Sequence, residues 1–551
     1  MRIDSYDEVK ALTRALVKIP SINKMPGEES AAAQYIYDYY CTLPYFKEHR
    51  EQVKIFQTKD DFVERHCTYA YVKGTGGSRR TVILIGHLDT VGTDDFGPIK
   101  DYAHDPDELP GKLLELGVPE EVAEDIRSGE YMFGRGALDM KSGVAGHMAL
   151  IKYFSEHPEE LNGNLLALAE CDEEDNSKGM ITALDEFAEL KDREGFDYVA
   201  CINADYSTHH SPGDENRYIY YGSIGKLLPT FYVFGKEAHV GQAFSAFDPN
   251  LLIAEITRRM TLNTDLCDVA RGEVTVPPIS LKQTDTKPCY TVQTNLSAYA
   301  YFNYFTHGLS PAGVMDKSRR VAEEAFEETV RFLNVRYADY CKLIGAEFEP
   351  LPWKPRVLTY GEFYGQLAER HGEAFTSAIH EFAVELHREQ PEMDLREFSN
   401  RVIEEAFQWS EDRSPVVILY FGSIYSARIE MTGETPKEAA LLSAVEKAVA
   451  EVSRCTGRKI KTRMFYPYIS DSSFMAVCDD RKELKALEEN MPSWGTQYHY
   501  DIDKILRINV PVVNIGSFGK DGHMLTERVD MRHTFENVPN ITYLTIRELL
   551  K

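Results

Sequence analysis

The chain contains 551 residues, of which 43% are hydrophobic and 27% are charged, and its formal net charge is −27. A chain of this length exceeds what one hydrophobic core supports, so we predict at least two domains, and the composition excludes a mainly disordered, collagen-like or membrane-embedded protein. The negative charge repels phosphate backbones and anionic lipid surfaces, so we expect neither a nucleic-acid partner nor a membrane partner.

The cysteine pattern indicates a reducing compartment. Nine cysteines are scattered along the chain without a CxxC pair, and we expect them to be reduced, mostly buried small side chains. The first residues carry charges throughout and lack the apolar core of a signal peptide. Apolar runs have the length of strands rather than of membrane helices. We therefore expect a cytoplasmic protein.

Strands and helices alternate over the first part of the chain. Apolar residues at helical spacing mark residues 5–18, 142–154 and 180–190. Continuous aliphatic runs, typical of strands buried on both faces, are found at residues 81–86, 165–170, 198–203 and 510–516. This alternation predicts a mostly parallel sheet with helices on both faces.

The middle of the chain has a different character. Residues 217–234 are rich in β-forming side chains, 249–260 have a helical pattern, and 289–305 form a tyrosine-rich strand-like stretch. Charged amphipathic helices are predicted over 314–412, and a strand follows at 415–425.

Together these patterns predict a discontinuous α/β architecture. We expect one domain with a mostly parallel sheet, built from residues 1–215 and 415–551. The intervening residues 216–414 are expected to form an inserted α+β domain with a helical extension.

Five short segments place Asp, Glu and His just beyond predicted strand ends. Ligands bind at the carboxyl edge of an open α/β sheet. His87 and Asp89 leave one strand two residues apart and point the same way, so the carboxylate could orient the imidazole. The further candidates are Asp139 in a glycine-flanked loop, Glu173 and Glu174 in an acidic run, Asp205, and His523.

Each segment alone has an ordinary structural explanation. Asp139 could cap a helix, and the other side chains could lie in surface turns. The alternative ligands are His209 or His210 in place of Asp205, and His533 in place of His523. Two histidines and several carboxylates that converge on one edge nevertheless suit zinc, cobalt or manganese.

The ordered set of segments resembles the dinuclear zinc aminoacylase, carboxypeptidase and desuccinylase family, and within it the RocB-type branch, named for arginine utilisation. The segments are HLDTV at 87–91, GRGALDMKSG at 134–143, the Glu173-Glu174 pair, Asp205, and GKDGH at 519–523 followed by Glu527. The resemblance covers roughly residues 5–250 and 415–551, and implies a zinc-exopeptidase-like catalytic domain with an inserted lid and dimerisation domain.

The resemblance implies a role for each candidate. The implied ligands are His87 and Asp205 for one divalent ion, Glu174 and His523 for a second ion, and Asp139 for both. Asp89 would hold His87 through its second ring nitrogen, and Glu173 would be the general base that acts on water between the ions. Two cations lower the pKa of water and polarise an amide carbonyl. A cis peptide bond after Asp139 is also implied.

A sixth segment, GKEAHVG at 235–241, resembles the lid motif of this family. The resemblance implies that His239 reaches the active site of a partner chain and stabilises an oxyanion, and hence that the protein is a homodimer. One departure concerns residues 298–304, which contain no arginine where many relatives clamp a substrate carboxylate. A motif around Asp471 resembles the RocB branch, where this residue could contact substrate or form a turn.

We therefore expect a metal-dependent hydrolase that cleaves a peptide or N-acyl-amino-acid amide bond in a small molecule or short peptide. Two divalent ions are expected, zinc in the first place, with cobalt or manganese as alternatives. The rival interpretations are a non-catalytic binding or regulatory protein that retains the hydrolase fold, and a structural assembly protein. The complete ligand set, with Asp89 and Glu173, favours the hydrolase.

Overall fold

The computed structural model describes residues 3–499 and 501–551. The chain forms two compact units. Unit 1 contains residues up to Ile224 together with Ala427–Val477 and Asp501–Lys551, and unit 2 contains Gly225–Ser426 together with the segment that begins at Cys478.

The units differ from the expected domains at three places. Residues 216–224, expected in the insertion, belong to unit 1, whereas residues 415–426 and 478–499, expected in the catalytic domain, belong to unit 2. The side-chain oxygen of Asn490 accepts the Gly361 N–H at 2.9 Å, and its carbonyl accepts the Phe421 N–H at 2.8 Å. These hydrogen bonds join residues 478–499 to residues more than 60 positions earlier in the chain. Local sequence patterns do not predict contacts at such separations.

The helices are, in chain order, α1 (Tyr6–Val17), α2 (Glu28–Thr42), α3 (Pro44–Glu48), α4 (Leu109–Leu116), α5 (Glu120–Ser128), α6 (Ser142–Glu156), α7 (Lys178–Glu194), α8 (Pro249–Met260), α9 (Pro311–Ile344), α10 (Tyr360–His371), α11 (Glu373–Glu389), α12 (Leu395–Gln408), α13 (Pro436–Thr456), α14 (Arg481–Glu489), α15 (Ile502–Ile508) and α16 (Val538–Leu549). Within the described residues, none of these helices combines the length and the apolarity that crossing a bilayer requires.

The strands are β1 (Val53–Gln57), β2 (His66–Lys73), β3 (Arg80–His87), β4 (Tyr131–Phe133), β5 (Asn164–Glu170), β6 (Asp197–Asn203), β7 (Arg217–Tyr221), β8 (Gly225–Leu227), β9 (Pro229–Phe234), β10 (Val269–Ala270), β11 (Glu273–Val274), β12 (Ile279–Asp285), β13 (Ser297–Thr306), β14 (Val357–Thr359), β15 (Val416–Phe421), β16 (Ile460–Arg463), β17 (Val512–Asn514), β18 (Gly519–Lys520) and β19 (Arg528–Asp530).

Unit 1 is built on a sheet with the strand order β1-β2-β5-β3-β6-β17-β7-β16. Its centre, β5-β3-β6-β17, is parallel, as the aliphatic runs predicted. The pairs β1-β2, β2-β5 and β17-β7 are antiparallel, so the sheet is mixed towards its edges. Helix α6 packs against β2, β3 and β5, and α7 packs against β2 and β5. A smaller sheet, β18-β19-β4, completes the unit.

Unit 2 contains a sheet with the order β12-β13-β9-β15-β14, and β8 pairs with β13. Helix α8 packs against α9 and this sheet, and helices α10 to α12 form an apolar core with β9 and β15. The tyrosine-rich strand β13 contributes to packing: Tyr299 is buried and stacks on Tyr232, with ring centroids 6.1 Å apart. The chain as a whole therefore has the α/β class and the α+β insertion with added helices that the sequence predicted.

Candidate metal and catalytic centre

The candidate ligands of unit 1 converge beyond the carboxyl ends of its central strands. His87 is the last residue of β3, and Asp205 lies two residues beyond β6. Glu173 and Glu174 follow the end of β5 by three and four residues. Because parallel strands end at a common edge, these loops meet there. Asp139 arrives from the segment between β4 and α6, and His523 from the segment between β18 and β19.

Asp139 occupies the middle of this constellation. Its Oδ1 atom lies 3.0 Å from His87 Nε2, and its Oδ2 atom lies 2.9 Å from His523 Nε2. Two groups share Asp139, one with His87 and Asp205 and the other with Glu174 and His523. Within each group, one ligand atom of every residue lies within 4.8 Å of the others. A single carboxylate thus faces two clusters of metal-type donors.

The loop that carries Asp139 is held by Glu527. The N–H groups of Leu138 and Asp139 donate to Glu527 Oε1 at 3.1 and 3.3 Å. Arg135 Nη1 donates to Glu527 Oε2 at 2.8 Å, and Arg135 Nη2 donates to the His523 carbonyl at 3.3 Å. All four backbone and side-chain contacts tie the Asp139 loop to the His523 loop. The peptide bond after Asp139 is cis, as the family resemblance implied.

Glycine allows the backbone next to Asp205 to be approached from two sides. A Cβ atom on Gly143, at the start of α6, would lie 2.4 Å from the Ala204 carbonyl oxygen. A Cβ atom on Gly516, just beyond β17, would lie 1.7 Å from the Asp205 carbonyl oxygen. Neither distance is compatible with a side chain. Glycine at both positions therefore lets α6 and β17 close around the Asp205 loop.

Asp89 positions the two glutamates. Its Oδ1 atom accepts the Glu173 N–H and its Oδ2 atom accepts the Glu174 N–H, both at 3.2 Å. The expected contact to His87 differs: His87 Nδ1 lies 3.0 Å from the Asp89 carbonyl oxygen and 3.7 Å from its carboxylate. Because a carbonyl oxygen only accepts, Nδ1 carries a proton, so Nε2 is the ring nitrogen that would bind a metal ion once its own proton is displaced.

Burial makes the carboxylates of this centre costly to ionise in the absence of cations. Burial raises the pKa of Glu173 well above its ordinary value, and it also raises the pKa of Glu174. Burial, reinforced by the nearby charge of Asp139, raises the pKa of Asp205 to about 7. Like charges at this spacing repel one another in a low-dielectric site, so bound cations would stabilise the ionised forms.

Two histidines, His87 and His523, offset part of the negative charge of these carboxylates. Burial alone would raise the pKa of Asp139, but hydrogen bonds with His523 and His87 outweigh it, and the pKa is lowered. Hydrogen bonds with Asp139 and Glu174 raise the pKa of His523 to about 10. A histidine binds a metal ion through a deprotonated ring nitrogen, so ligation would displace the protons on Nε2 of His87 and of His523. Imidazole nitrogens, carboxylate oxygens and their spacing fit borderline divalent ions.

Four other histidines are candidates from the sequence. His239 belongs to unit 2, where it is exposed and its Nδ1 atom accepts the Gly241 N–H at 3.1 Å. The alternatives His209, His210 and His533 occur in none of the possible metal-holding groups found among residues 3–499 and 501–551. His210 Nε2 instead lies 2.9 Å from the hydroxyl of Tyr220.

Asp471 does not cap the turn in which it lies. Ser470 does so, because its Oγ atom accepts the Ser472 N–H at 3.2 Å. The Asp471 carboxylate is instead buried, and burial raises its pKa to about 7.

The sequence does not indicate the contacts of two residues near the candidate ligands. Glu527 follows the GKDGH motif, and Asn23 lies in no motif. Asn23 Nδ2 donates to Asp89 Oδ2 at 3.1 Å and to Asp172 Oδ1 at 3.0 Å. Both residues act over long sequence separations, and a single polar residue in a loop gives no periodic signal. The two carboxylates that Asn23 contacts belong to segments that the motifs identify, whereas Asn23 itself lies outside them.

The chain belongs to peptidase family M20/M25/M40, whose model matches residues 83–484. Over nearly its whole length it is similar to two Bacillus subtilis proteins. It is 35% identical to Protein RocB over 545 residues, covering 99% of this chain and 95% of RocB. It is 32% identical to Uncharacterized protein YqjN over 554 residues, covering 100% of this chain and 98% of YqjN. The predicted membership of the RocB-type branch is confirmed.

The fold is similar to the crystal structure of Sso-CP2, an M20 family metallo-carboxypeptidase from Sulfolobus solfataricus. The TM-score is 0.52 at 11% sequence identity, and the match covers 99% of this chain and 100% of that one. This similarity concerns the fold. Family membership and the cluster of metal-type ligands define a metal-dependent hydrolase.

Proposed function

We propose that this protein hydrolyses a peptide or N-acyl-amino-acid amide bond, with water activated at a pair of divalent metal ions. The observation that carries the proposal is the position of Asp139. One of its carboxylate oxygens lies 3.0 Å from His87 Nε2, and the other lies 2.9 Å from His523 Nε2. A carboxylate that serves two adjacent groups of donors is the arrangement expected for a bridging ligand of a two-metal site.

The proposed ligands are those implied by the motifs. They are His87 and Asp205 for one ion, Glu174 and His523 for the other, and Asp139 for both. When bound, two such ions polarise the amide carbonyl and lower the pKa of water towards neutrality. Zinc fits this mixture of imidazole and carboxylate donors, and cobalt and manganese fit it as well.

Glu173 is the proposed general base. Its Oε2 atom lies 4.0 Å from His87 Nε2, next to the ligands, and its side chain is largely buried. Burial raises its pKa well above the ordinary value, which brings its proton affinity towards that needed near neutral pH. The carboxylate would accept a proton from the attacking water. It would then donate that proton to the amine nitrogen as the C–N bond breaks.

We further propose that the protein acts as a homodimer in which His239 of one chain donates a hydrogen bond to the substrate oxyanion bound by the other. The support is the lid motif together with the exposure of His239. The edge strand β12 pairs with β13 on one side, and Ile279 and Leu281 on it are 44% and 56% exposed. An edge strand with exposed apolar side chains offers a surface for pairing with a second copy. A cytoplasmic location stays a prediction from the cysteine pattern.

The role of His239 can be tested by complementation. His239→Ala should reduce hydrolysis about 10²–10³-fold, the usual effect of losing one oxyanion donor. Co-expression of His239→Ala chains with Glu173→Gln chains should restore about a quarter of wild-type activity, because one site in each mixed dimer is intact. His380→Ala, at an exposed position of unit 2, serves as the control. Mixed dimers without recovered activity would exclude a role in the partner's site.

The hydrolase proposal is tested with a library of dipeptides and N-acyl amino acids, assayed with zinc, cobalt and manganese in turn. We expect turnover of at least one substrate class in the metal-loaded protein and its loss after chelation. Stoichiometric metal binding without turnover of any library member would instead support a binding or regulatory protein that retains the hydrolase fold.

A further inference from the structure

Asn23 connects the carboxylates of Asp89 and Asp172, which contact the turn at residues 172–178. This turn, called the catalytic turn below, carries Glu173 and Glu174. Asn23 lies in the loop between α1 and α2, where its backbone N–H donates to the Thr90 carbonyl at 2.9 Å. Its side-chain Nδ2 donates both to Asp89 Oδ2 at 3.1 Å and to Asp172 Oδ1 at 3.0 Å. One amide group therefore spans the distance between these two acids.

The two acids hold opposite sides of the turn that presents the glutamates. The carboxylate of Asp89 accepts the N–H groups of Glu173 and Glu174. Asp172 immediately precedes Glu173, has a left-handed backbone with φ of 67°, and accepts the Lys178 N–H through Oδ2 at 3.1 Å. Any shift of Asp89 relative to Asp172 therefore moves the backbone of both glutamates.

A donor between these carboxylates is needed for electrostatic reasons. Asp89 and Asp172 are both 0% exposed, so solvent does not screen their repulsion. Asp172 is paired with the buried Arg65, which also contacts Glu29 at 2.9 Å. The Asn23 amide donates hydrogen bonds to both carboxylates. Arg65 is already paired with Asp172 and Glu29, so it does not take the place of this amide. A neutral amide also adds no charge to a centre that binds cations.

We propose that Asn23 is a positioning residue, whose amide fixes the turn that aims Glu173 at the substrate water and Glu174 at its metal ion. The proposal rests on the proposed hydrolase function. Groups that orient metal ligands in this indirect way usually contribute 10–100-fold to metal affinity or activity. The loss of the Asn23 amide should therefore appear in kcat and in the affinity for one ion, rather than in KM.

The test compares Asn23→Leu and Asn23→Ala with Asn164→Leu. Asn164 is a second asparagine of unit 1, at the opposite end of β5, whose Nδ2 atom donates to Thr81 Oγ1 at 3.2 Å. We expect the Asn23 variants to lose about 10–100-fold in kcat with KM changed less than about threefold. Isothermal titration with Co²⁺ should show a similar loss of affinity for one of two ions. Asn164→Leu should lower the unfolding temperature without either effect.

The outcomes separate this inference from the proposed function. If both Asn23 variants change kcat and Co²⁺ affinity no more than Asn164→Leu does, the positioning role is wrong even though the wild type hydrolyses amides. If the wild type binds two ions without turnover and the Asn23 variants weaken one of them, the hydrolase proposal and the aiming of Glu173 fail, while the positioning of Glu174 stands. A wild type that binds no ions overturns both.

Discussion

Glu173→Gln should abolish amide hydrolysis, with a loss of about 10²–10⁴-fold in kcat, the usual contribution of a general base. Glutamine retains the size of the side chain and removes the ability to accept the proton of water. Glu173 is not among the proposed ligands, so the variant should keep the wild-type metal content. Steady-state kinetics and elemental analysis of the same sample measure both quantities.

A matched control is available in the same turn. Asp175 pairs with Lys24 at 2.8 Å, at a partly exposed position, and Asp175→Asn removes a negative charge two residues from Glu173. We expect this control to change kcat less than about twofold, because exposed ion pairs contribute little. Unchanged hydrolysis by Glu173→Gln, or equal losses in the two variants, would remove Glu173 from the role of base.

Asp139→Asn should weaken the binding of both metal ions at once. The carboxamide retains the shape of the side chain but loses the negative charge that would serve two cations. We expect the variant to retain less than about one ion per chain after gel filtration, with a correspondingly large loss of activity. Elemental analysis and metal titration provide the measurement, and circular dichroism establishes that the chain is folded.

Asp205→Asn is the informative comparison for Asp139→Asn. Asp205 occurs with His87 and Asp139 in one of the ligand groups and is absent from the group that contains Glu174 and His523. Its substitution should weaken one ion and leave the second near wild-type affinity. If Asp139→Asn likewise weakened a single ion, Asp139 would be an ordinary ligand and not a shared one.

The sequence was most informative where a physical pattern is local. The aliphatic runs predicted β3, β5 and β6 because a strand buried on both faces needs apolar side chains throughout. The parallel order of these strands then placed the residues after them at one edge. The strand order and the family resemblance therefore predict that His87 and Asp205 lie close together.

The antiparallel edge of the same sheet was not predicted. Strand β2 is buried along most of its length and pairs with β5 in register from Thr68 to Lys73. Its sequence, HCTYAYVK, contains both polar and aromatic residues and has neither a continuous aliphatic run nor a clear alternation. Pairing with β5, nearly 100 residues further along, decides its structure. Local propensity does not carry that information.

The hydrogen bonds around the candidate metal ligands could not be predicted from the sequence either. Asn23 is 66 residues from Asp89 and 149 from Asp172, and Asp139 is 388 residues from Glu527. A motif identifies an acid or a histidine by its type and spacing, whereas hydrogen bonds between distant loops appear only in the folded chain. The hydrogen bonds from the N–H groups of Glu173 and Glu174 to the Asp89 carboxylate are a finding of the same kind.

The measurement that tests the central claim most directly is anomalous diffraction from crystals of the full chain grown with zinc or cobalt. The account predicts two peaks on either side of Asp139, one contacted by His87 and Asp205 and the other by Glu174 and His523. A single peak, or peaks that do not involve the Asp139 carboxylate, would contradict a shared two-ion centre.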